Sequence, residues 1–255
     1  MVPIIGMGTS KTLDTDDLAL AREVVSAAFD TGTTLFDSSP MYGKAERTLG
    51  AALEGRRSGA VVATKVWTDD DAVAERQIEA SLSFYGGHIE LLQIHNMVRW
   101  PERLRRIEEL RDSGQVTLVG ATHWQAANFD ELEAAMVTGR LDAIQIPYNP
   151  REREVEERLL PLAVELGLGV LIMRPFAAAD LMRTSPSAAE LANLEPFGIR
   201  TWGQALLQWG LSHPATTVSI PATSKPSRAT ENGAAGNALP LDDEHRRLIS
   251  RLAGS

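Results

Sequence analysis

The 255-residue sequence contains no cysteine. Disulfides, thiolate metal ligands and a cysteine nucleophile are therefore excluded, and no metal site is expected. The amino terminus, Met1-Val-Pro-Ile-Ile-Gly6, has no basic segment and only a very short apolar run. A signal peptide is not expected there. Nowhere does the chain approach the roughly 20 apolar residues of a membrane span, so cytoplasm is the default location. Cations are also scarce, with 25 Lys and Arg against 34 Asp and Glu and a formal charge of −9. Such a surface repels nucleic acid and anionic lipid at long range. Neither is expected as a partner, and any anionic ligand must be held by a few local cations or backbone N–H groups. A third glycine is missing too. Gly6-Met-Gly8 follows the first apolar run, but G-x-G-x-x-G is not completed, which counts against an open, doubly wound nucleotide-binding sheet.

What remains is an ordinary core-forming composition, 44% hydrophobic and 23% charged. The length suits one domain over residues 1–255, and an α/β barrel commonly fills about 250 residues. Apolar runs alternate with amphipathic segments. Candidate strands end near Gly8, Asp37, Lys65, His95, Thr122, Tyr148, Pro175 and Pro221. Six of the seven intervals between them have the length of one strand–helix–strand step. Eight parallel strands with intervening helices predict a (β/α)8 TIM barrel.

Local signals agree. Asp14-Thr-Asp16 offers an N-cap before Leu18, Ala21, Val25, Ala28 and Phe29, with Gly32 just past the helix end. Pro101 opens a segment with Leu104, Ile107 and Leu110 on one face, closed by Gly114. Pro161 marks a kink or a late helix start. Residues 177–198 read as an irregular loop near a pocket mouth, before a helix around Gln204 to Leu211; Leu241 to Leu252 reads as a final helix. Pro3 sits so early that no amino-terminal hairpin capping the barrel is expected.

Four proton-handling residues stand at or just beyond strand ends: Asp37, Tyr42, Lys65 and His95. Catalytic groups of a parallel barrel belong at the carboxyl ends of its strands, and these ends are neighbours. A phenol ionising at about 10 is a poor acid at neutral pH. A nearby ammonium is expected to lower that value, a carboxylate to hold the ammonium, and a neutral imidazole to orient a carbonyl oxygen. The set suits proton donation to a carbonyl. Taken singly, Asp37 could cap a turn, Tyr42 could pack at a strand end and His95 could be a satisfied core histidine. Lys65 is harder to set aside, because lysine is rarely buried unpaired. It could also form a Schiff base in an aldolase-like barrel.

The chain resembles the aldo-keto reductases over nearly its whole length. Phe36-Asp37-Ser-Ser-Pro-Met-Tyr42-Gly43 is similar to the family's Asp/Tyr segment, Ala63-Thr-Lys65-Val-Trp67 to its lysine strand and Leu92-Gln-Ile-His95 to its histidine strand. Gln145-Ile-Pro-Tyr148-Asn149, His213-Pro214 and Ser219-Ile-Pro221 through Glu231-Asn232 follow in order. The resemblance implies a (β/α)8 barrel and an NADPH-dependent carbonyl reductase, with NADH as an alternative cofactor. Tyr42 would be the general acid, Lys65 and Asp37 would tune it, and His95 would position the substrate carbonyl.

By the same resemblance Thr122, His123 and Gln145 would meet the nicotinamide carboxamide, with Thr122-His123 replacing the usual Ser-Asn. Met173-Arg174-Pro175-Phe176 stands where the family has a stacking tyrosine followed by Ser-Pro-Leu-Gly. Met173 would cover the nicotinamide, Arg174 could reach the pyrophosphate or pair with an acid, and the loss of glycine removes backbone freedom. Thr223, Lys225, Arg228, Glu231 and Asn232 would hold the adenosine end, with Ser224 or Ser227 capping the next helix. Ala222 replaces a common lysine, for which Lys225 could compensate. Trp67 matches an aromatic pocket wall and Asn96 replaces a common Trp. Met41, Trp124, Met97 and Phe176 complete the candidate lining.

The implied partner is a small carbonyl compound, and the implied state a monomer or weak homo-oligomer. A catalytically weak, cofactor-sensing subunit of the same fold and a Lys65 Schiff-base lyase are the rival readings.

Overall fold

The computed structural model describes residues 4–183 and 185–254. Its frame is eight parallel strands in sequential order: β1 (Met7–Gly8), β2 (Leu35–Asp37), β3 (Val61–Val66), β4 (Ile89–His95), β5 (Val116–Thr122), β6 (Ala143–Pro147), β7 (Gly169–Met173) and β8 (Val218–Ser219). Parallel bridges from Ile5 to Ser219 and from Gly8 to Ala222 bring the last strand back to the first. The backbone bonds Gly6 N–Ser219 O (2.8 Å) and Gly8 N–Pro221 O (3.0 Å) reinforce that seam. The (β/α)8 barrel expected from strand spacing is the fold observed. Among the described residues no strand precedes β1; Pro3, on which the absence of a hairpin was argued, lies outside them.

Ten helices are described: α1 (Leu18–Phe29), α2 (Ala45–Ala52), α3 (Asp71–Phe84), α4 (Trp100–Asp112), α5 (Phe129–Met136), α6 (Leu159–Leu166), α7 (Ala188–Ala192), α8 (Trp202–Leu211), α9 (Pro226–Ala234) and α10 (Asp243–Leu252). None is long and apolar enough to cross a membrane. Strand residues alternate in direction, so each strand feeds two cores. Leu35, Ala63, Leu91, Ala143, Leu171, Val218 and Ile220 pack together as one cluster. Phe36, Val62, Leu92, Ile144, Val170 and Ile172 belong to a second cluster shared with the helices. The first fills the barrel interior and forms the floor beneath the polar groups at the strand ends.

Two helix starts differ from expectation. Asp17, not Asp14 or Asp16, caps α1, its carboxylate accepting from Leu20 N at 3.0 Å. Asp14 instead accepts from Lys44 N at 2.9 Å, and Asp16 pairs with Lys44 and Arg47. Those acidic groups are drawn off to hold the loop after β2. Neither Ser224 nor Ser227 caps α9; Lys225 occupies the cap position without a side-chain bond, and Pro226 is the first helical residue. Proline there has no N–H to satisfy and a φ already suited to a helix. Pro161 is the third residue of α6, consistent with the late start. The stretch 177–198, expected to be irregular, contains α7, whose Ser187 and Glu190 form a reciprocal capping box.

Candidate active site

The register sets the site. Asp37 pairs with Ala63 across β2 and β3, Lys65 with Gln93 across β3 and β4, and His95 with Thr122 across β4 and β5. Inward-facing residues of adjacent strands thus meet at the carboxyl end of the barrel. Lys65 and Asp37 are both nearly inaccessible, at 1% and 2% exposure. Lys65 Nζ donates to both oxygens of Asp37 at 2.7 Å and to the Ser38 carbonyl at 2.8 Å. Burial favours the neutral amine, but the Asp37 carboxylate and Tyr42 outweigh it and hold Lys65 ionised above its ordinary value.

Tyr42 ends a single 3-10 turn, Pro40–Tyr42, in the loop after β2. Ser39 starts the turn, its hydroxyl accepting from Met41 N at 3.2 Å. Gly43 leaves it with φ +62°, and a side chain there would collide with the Asp14 carboxylate. Lys65 Nζ lies 5.3 Å from the Tyr42 ring centre, and the His95 ring meets that ring edge-on at 5.9 Å. The expectation that Lys65 lowers the phenol's ionisation is corrected in its net sign. Burial raises it first, Lys65 pulls it down, Asp37 pushes it up, and the balance lies above the ordinary tyrosine value.

His95 accepts the expected form. Burial, then the positive charge of Lys65, pushes its ionisation down to about 3, so the ring is neutral at any ordinary pH. Its Nδ1 lies 3.0 Å from Ser39 Oγ. With that hydroxyl accepting from Met41 N–H and its own proton directed at Nδ1, the imidazole proton would sit on Nε2, where it can face a carbonyl oxygen. The site therefore presents a phenol and an imidazole N–H side by side, backed by a buried ammonium–carboxylate pair.

Gln145 and Thr122 are buried beside this group. Gln145 Nε2 donates to Asp37 Oδ2 at 3.4 Å, while its Oε1 is buried with no partner. That orphan acceptor fits the N–H of a carboxamide. His123 is used differently: Nδ1 accepts from Gln125 N at 3.0 Å and Nε2 meets the Asn128 amide at 2.9 Å, so both ring nitrogens serve their own loop. Met173 and Phe176 are half-buried, and Pro175 is buried. Phe176 packs partly buried against the core and Met97 is buried within it. Arg174 pairs with Glu152 at 2.9 Å and lies 5.4 Å over the Trp124 ring, which selects the acid-pairing alternative in this structure.

Met41, Trp67 and Trp124 are 46%, 38% and 44% exposed, large apolar faces left open around the mouth. Gln77 braces Trp67, bonding both its N–H and its carbonyl at 2.9 Å. Asn96 adopts φ +54° directly after His95. Around α9, Lys225 and Arg228 are exposed, Thr223 accepts from Lys225 N at 3.1 Å, Arg228 pairs with Glu231, and Asn232 is buried. Three polar residues around the site escaped the sequence reading. Ser39 and Gln93 touch His95 and Asp37 across strands, and Glu46 lies behind β3, accepting from Thr64 and Ser81 at 2.6 and 2.8 Å. Only Gln93 carried a local signal, a polar residue at an inward position of an otherwise apolar run.

A family model described as the Aldo/keto reductase family matches residues 4–253. The aldo-keto reductase YhdN of Bacillus subtilis is 31% identical over 194 residues, a match covering 66% of this chain and 56% of that protein. Methylglyoxal reductase YeaE of Escherichia coli is 26% identical over 246 residues, covering 91% of this chain and 85% of that protein. An aldo-keto reductase from Klebsiella pneumoniae, solved in complex with NADPH, superposes with a TM-score of 0.84 at 25% identity, covering 98% of this chain and 91% of that one. A second structure from that organism, with NADP and acetate, gives 0.82 at 26% identity.

Proposed function

The chain belongs to the aldo/keto reductase family of oxidoreductases, and from that premise we propose that it reduces an aldehyde or ketone to an alcohol with NADPH, Tyr42 acting as general acid. A reduced nicotinamide, when bound, supplies the hydride. The chain's own residues supply the proton and the geometry. Tyr42 donates its phenolic proton to the carbonyl oxygen as that oxygen gains charge. His95, neutral and protonated on Nε2, holds the same oxygen. Lys65 stabilises the phenolate left behind.

The observation that carries this reading is the Tyr42–His95 edge at 5.9 Å set against the Lys65–Asp37 pair. Residues present fit the cofactor: the unpaired Gln145 Oε1 would accept from a carboxamide N–H, Thr122 pairs with Gln145 across β5 and β6, and the exposed Lys225 and Arg228 at the start of α9 would hold phosphate. The two exposed cations favour NADPH over NADH. A Schiff-base role for Lys65 is disfavoured, because a nucleophilic amine must be neutral while this one is held ionised by Asp37.

The rival is a cofactor-sensing subunit with little turnover, favoured only by the commitment of His123 and Arg174 to their own loops. Fluorescence titration with NADPH and NADH, followed by a carbonyl panel on the preferred cofactor, separates the two. Turnover that Tyr42→Phe abolishes while cofactor still binds supports the reductase; binding without turnover on any carbonyl sinks it.

A further inference from the structure

Gln93 is fully buried on β4, one inward position below His95 and level with Lys65. Its surroundings in the barrel are apolar, with Leu91, Ala63, Ala143 and Leu171 in the layer beneath. Gly120 on the neighbouring strand leaves it room, since a Cβ there would come within 2.8 Å of Gln93 Cγ. The side-chain nitrogen donates to Asp37 Oδ1 at 3.3 Å, mirroring Gln145 on Oδ2 at 3.4 Å. A carboxylate only accepts, so the amide must turn its N–H toward Asp37 and leave its oxygen without a partner. Gln93 Oε1 is indeed buried and unpaired.

Leaving a buried carbonyl unpaired costs about 1–3 kcal/mol, whereas leucine would fill the same space above the apolar layer without that cost. Gln93 is thus a poor choice for packing and a good one for its donor. Asp37 has about four acceptor positions, and here two face Lys65 Nζ and one faces each glutamine.

We propose that Gln93 is a positioning residue of the proton donor: its amide fixes and partly neutralises Asp37, so that Lys65 acts on Tyr42 against a weakened carboxylate. Asp37 opposes ionisation of Tyr42, and Lys65 favours it. Removing the Gln93 N–H takes a positive dipole end from this group and leaves the carboxylate stronger. Both effects push Tyr42 ionisation upward. The other groups facing the cluster are His95 on β4, Glu46 on α2 and Tyr85 after α3. Glu46 changes charge at about 7 and His95 at about 3, so both have finished titrating before a phenol does.

The proposal deepens the reductase reading and rests on it for the meaning of Tyr42 as an acid, but its test does not use turnover. Tyrosinate ultraviolet absorbance is titrated in the wild type, Gln93→Leu and Gln93→Met, each with Tyr42→Phe on the same background as the blank. The difference isolates Tyr42 from Tyr85 and Tyr148. Both Gln93 variants are expected to ionise Tyr42 about half a pH unit higher, with melting temperatures equal to or above that of the wild type. Tyr42 curves that superimpose on the wild type overturn the proposal. So does a marked drop in melting temperature, or failure to fold, in both variants, because the amide then serves packing. A shifted curve in a protein that reduces no carbonyl would sustain the link from Gln93 to Tyr42 and sink only the reductase reading.

Discussion

Lys65 Nζ is held by each oxygen of Asp37 at 2.7 Å and by the carbonyl of Ser38 at 2.8 Å. It lies 5.3 Å from the ring centre of Tyr42. The ammonium acts on the phenol first as a charge and less as a hydrogen-bond donor. What sets its strength is how completely Asp37 cancels it, and that depends on the glutamine donors at the barrel's centre.

Breaking this pair on one side leaves a buried charge without its partner. Asp37→Asn and Lys65→Met are each expected to destabilise the fold by about 3–5 kcal/mol. The double variant should lose less than either, because no uncompensated charge remains. Urea unfolding of the three variants checks this; single variants within about 0.5 kcal/mol of the wild type would show that the pair is not the buried element described here.

The barrel was legible because strand-to-strand spacing and the alternation of apolar runs are local properties of the chain. Asp37, Lys65 and His95 could be seen converging from spacing alone, and the five-residue offset to Tyr42 carried the fourth group. What was not legible depends on contacts between distant segments. Ser39 and His95 meet across 56 positions, as do Gln93 and Asp37, and no local pattern announces such a bond. The N-cap of α1 differs from expectation because three aspartates compete for it: the Lys44 backbone N–H takes Asp14, and the Lys44 and Arg47 side chains take Asp16. By contrast α7 had its signal in plain view, a Ser-x-x-Glu box at Ser187 and Glu190.

Glu46 is buried behind β3, where desolvation lifts its ionisation from 4.5 to about 7 against the pull of the Thr64 and Ser81 hydroxyls. A folded-state value above the unfolded one favours the fold while the group is protonated. The contribution is full below 4.5 and is lost as pH rises to about 7, amounting to about 3 kcal/mol. Glu46→Gln keeps an oxygen for both hydroxyls and removes the charge. It is expected to flatten this part of the stability profile and to exceed the wild type above about pH 7. Denaturant unfolding as a function of pH decides it; parallel profiles for variant and wild type would refute the assignment.

The loop after β7 keeps a left-handed path without glycine. Ala177, Ala178 and Ala179 have φ of +47°, +54° and +78°, following Arg174 at +55°. Each alanine holds its Cβ against a carbonyl oxygen in that region. Ala179→Gly is therefore expected to stabilise the protein by roughly 1 kcal/mol, the strain relieved outweighing the added freedom of the unfolded chain. A loss of stability, as glycine causes in a helix interior, would mean that the loop does not take this path.

Ser39 joins the turn that carries Tyr42 to the imidazole that faces it. Its oxygen accepts from Met41 N at 3.2 Å and lies 3.0 Å from His95 Nδ1. Only with the hydroxyl proton directed at Nδ1 does His95 keep its own proton on Nε2, toward the pocket. Ser39→Ala removes that preference, so the ring divides between two tautomers and the turn loses its cap. Because burial and Lys65 hold His95 ionisation at about 3, acid cannot restore the missing N–H by protonating the ring at ordinary pH. Turnover in the carbonyl assay is expected to fall about tenfold, by roughly the 1.4 kcal/mol of one hydrogen bond, with cofactor affinity unchanged. Nitrogen NMR of His95 reads the tautomer directly. A single Nε2-protonated form in Ser39→Ala would show that some other contact sets the imidazole.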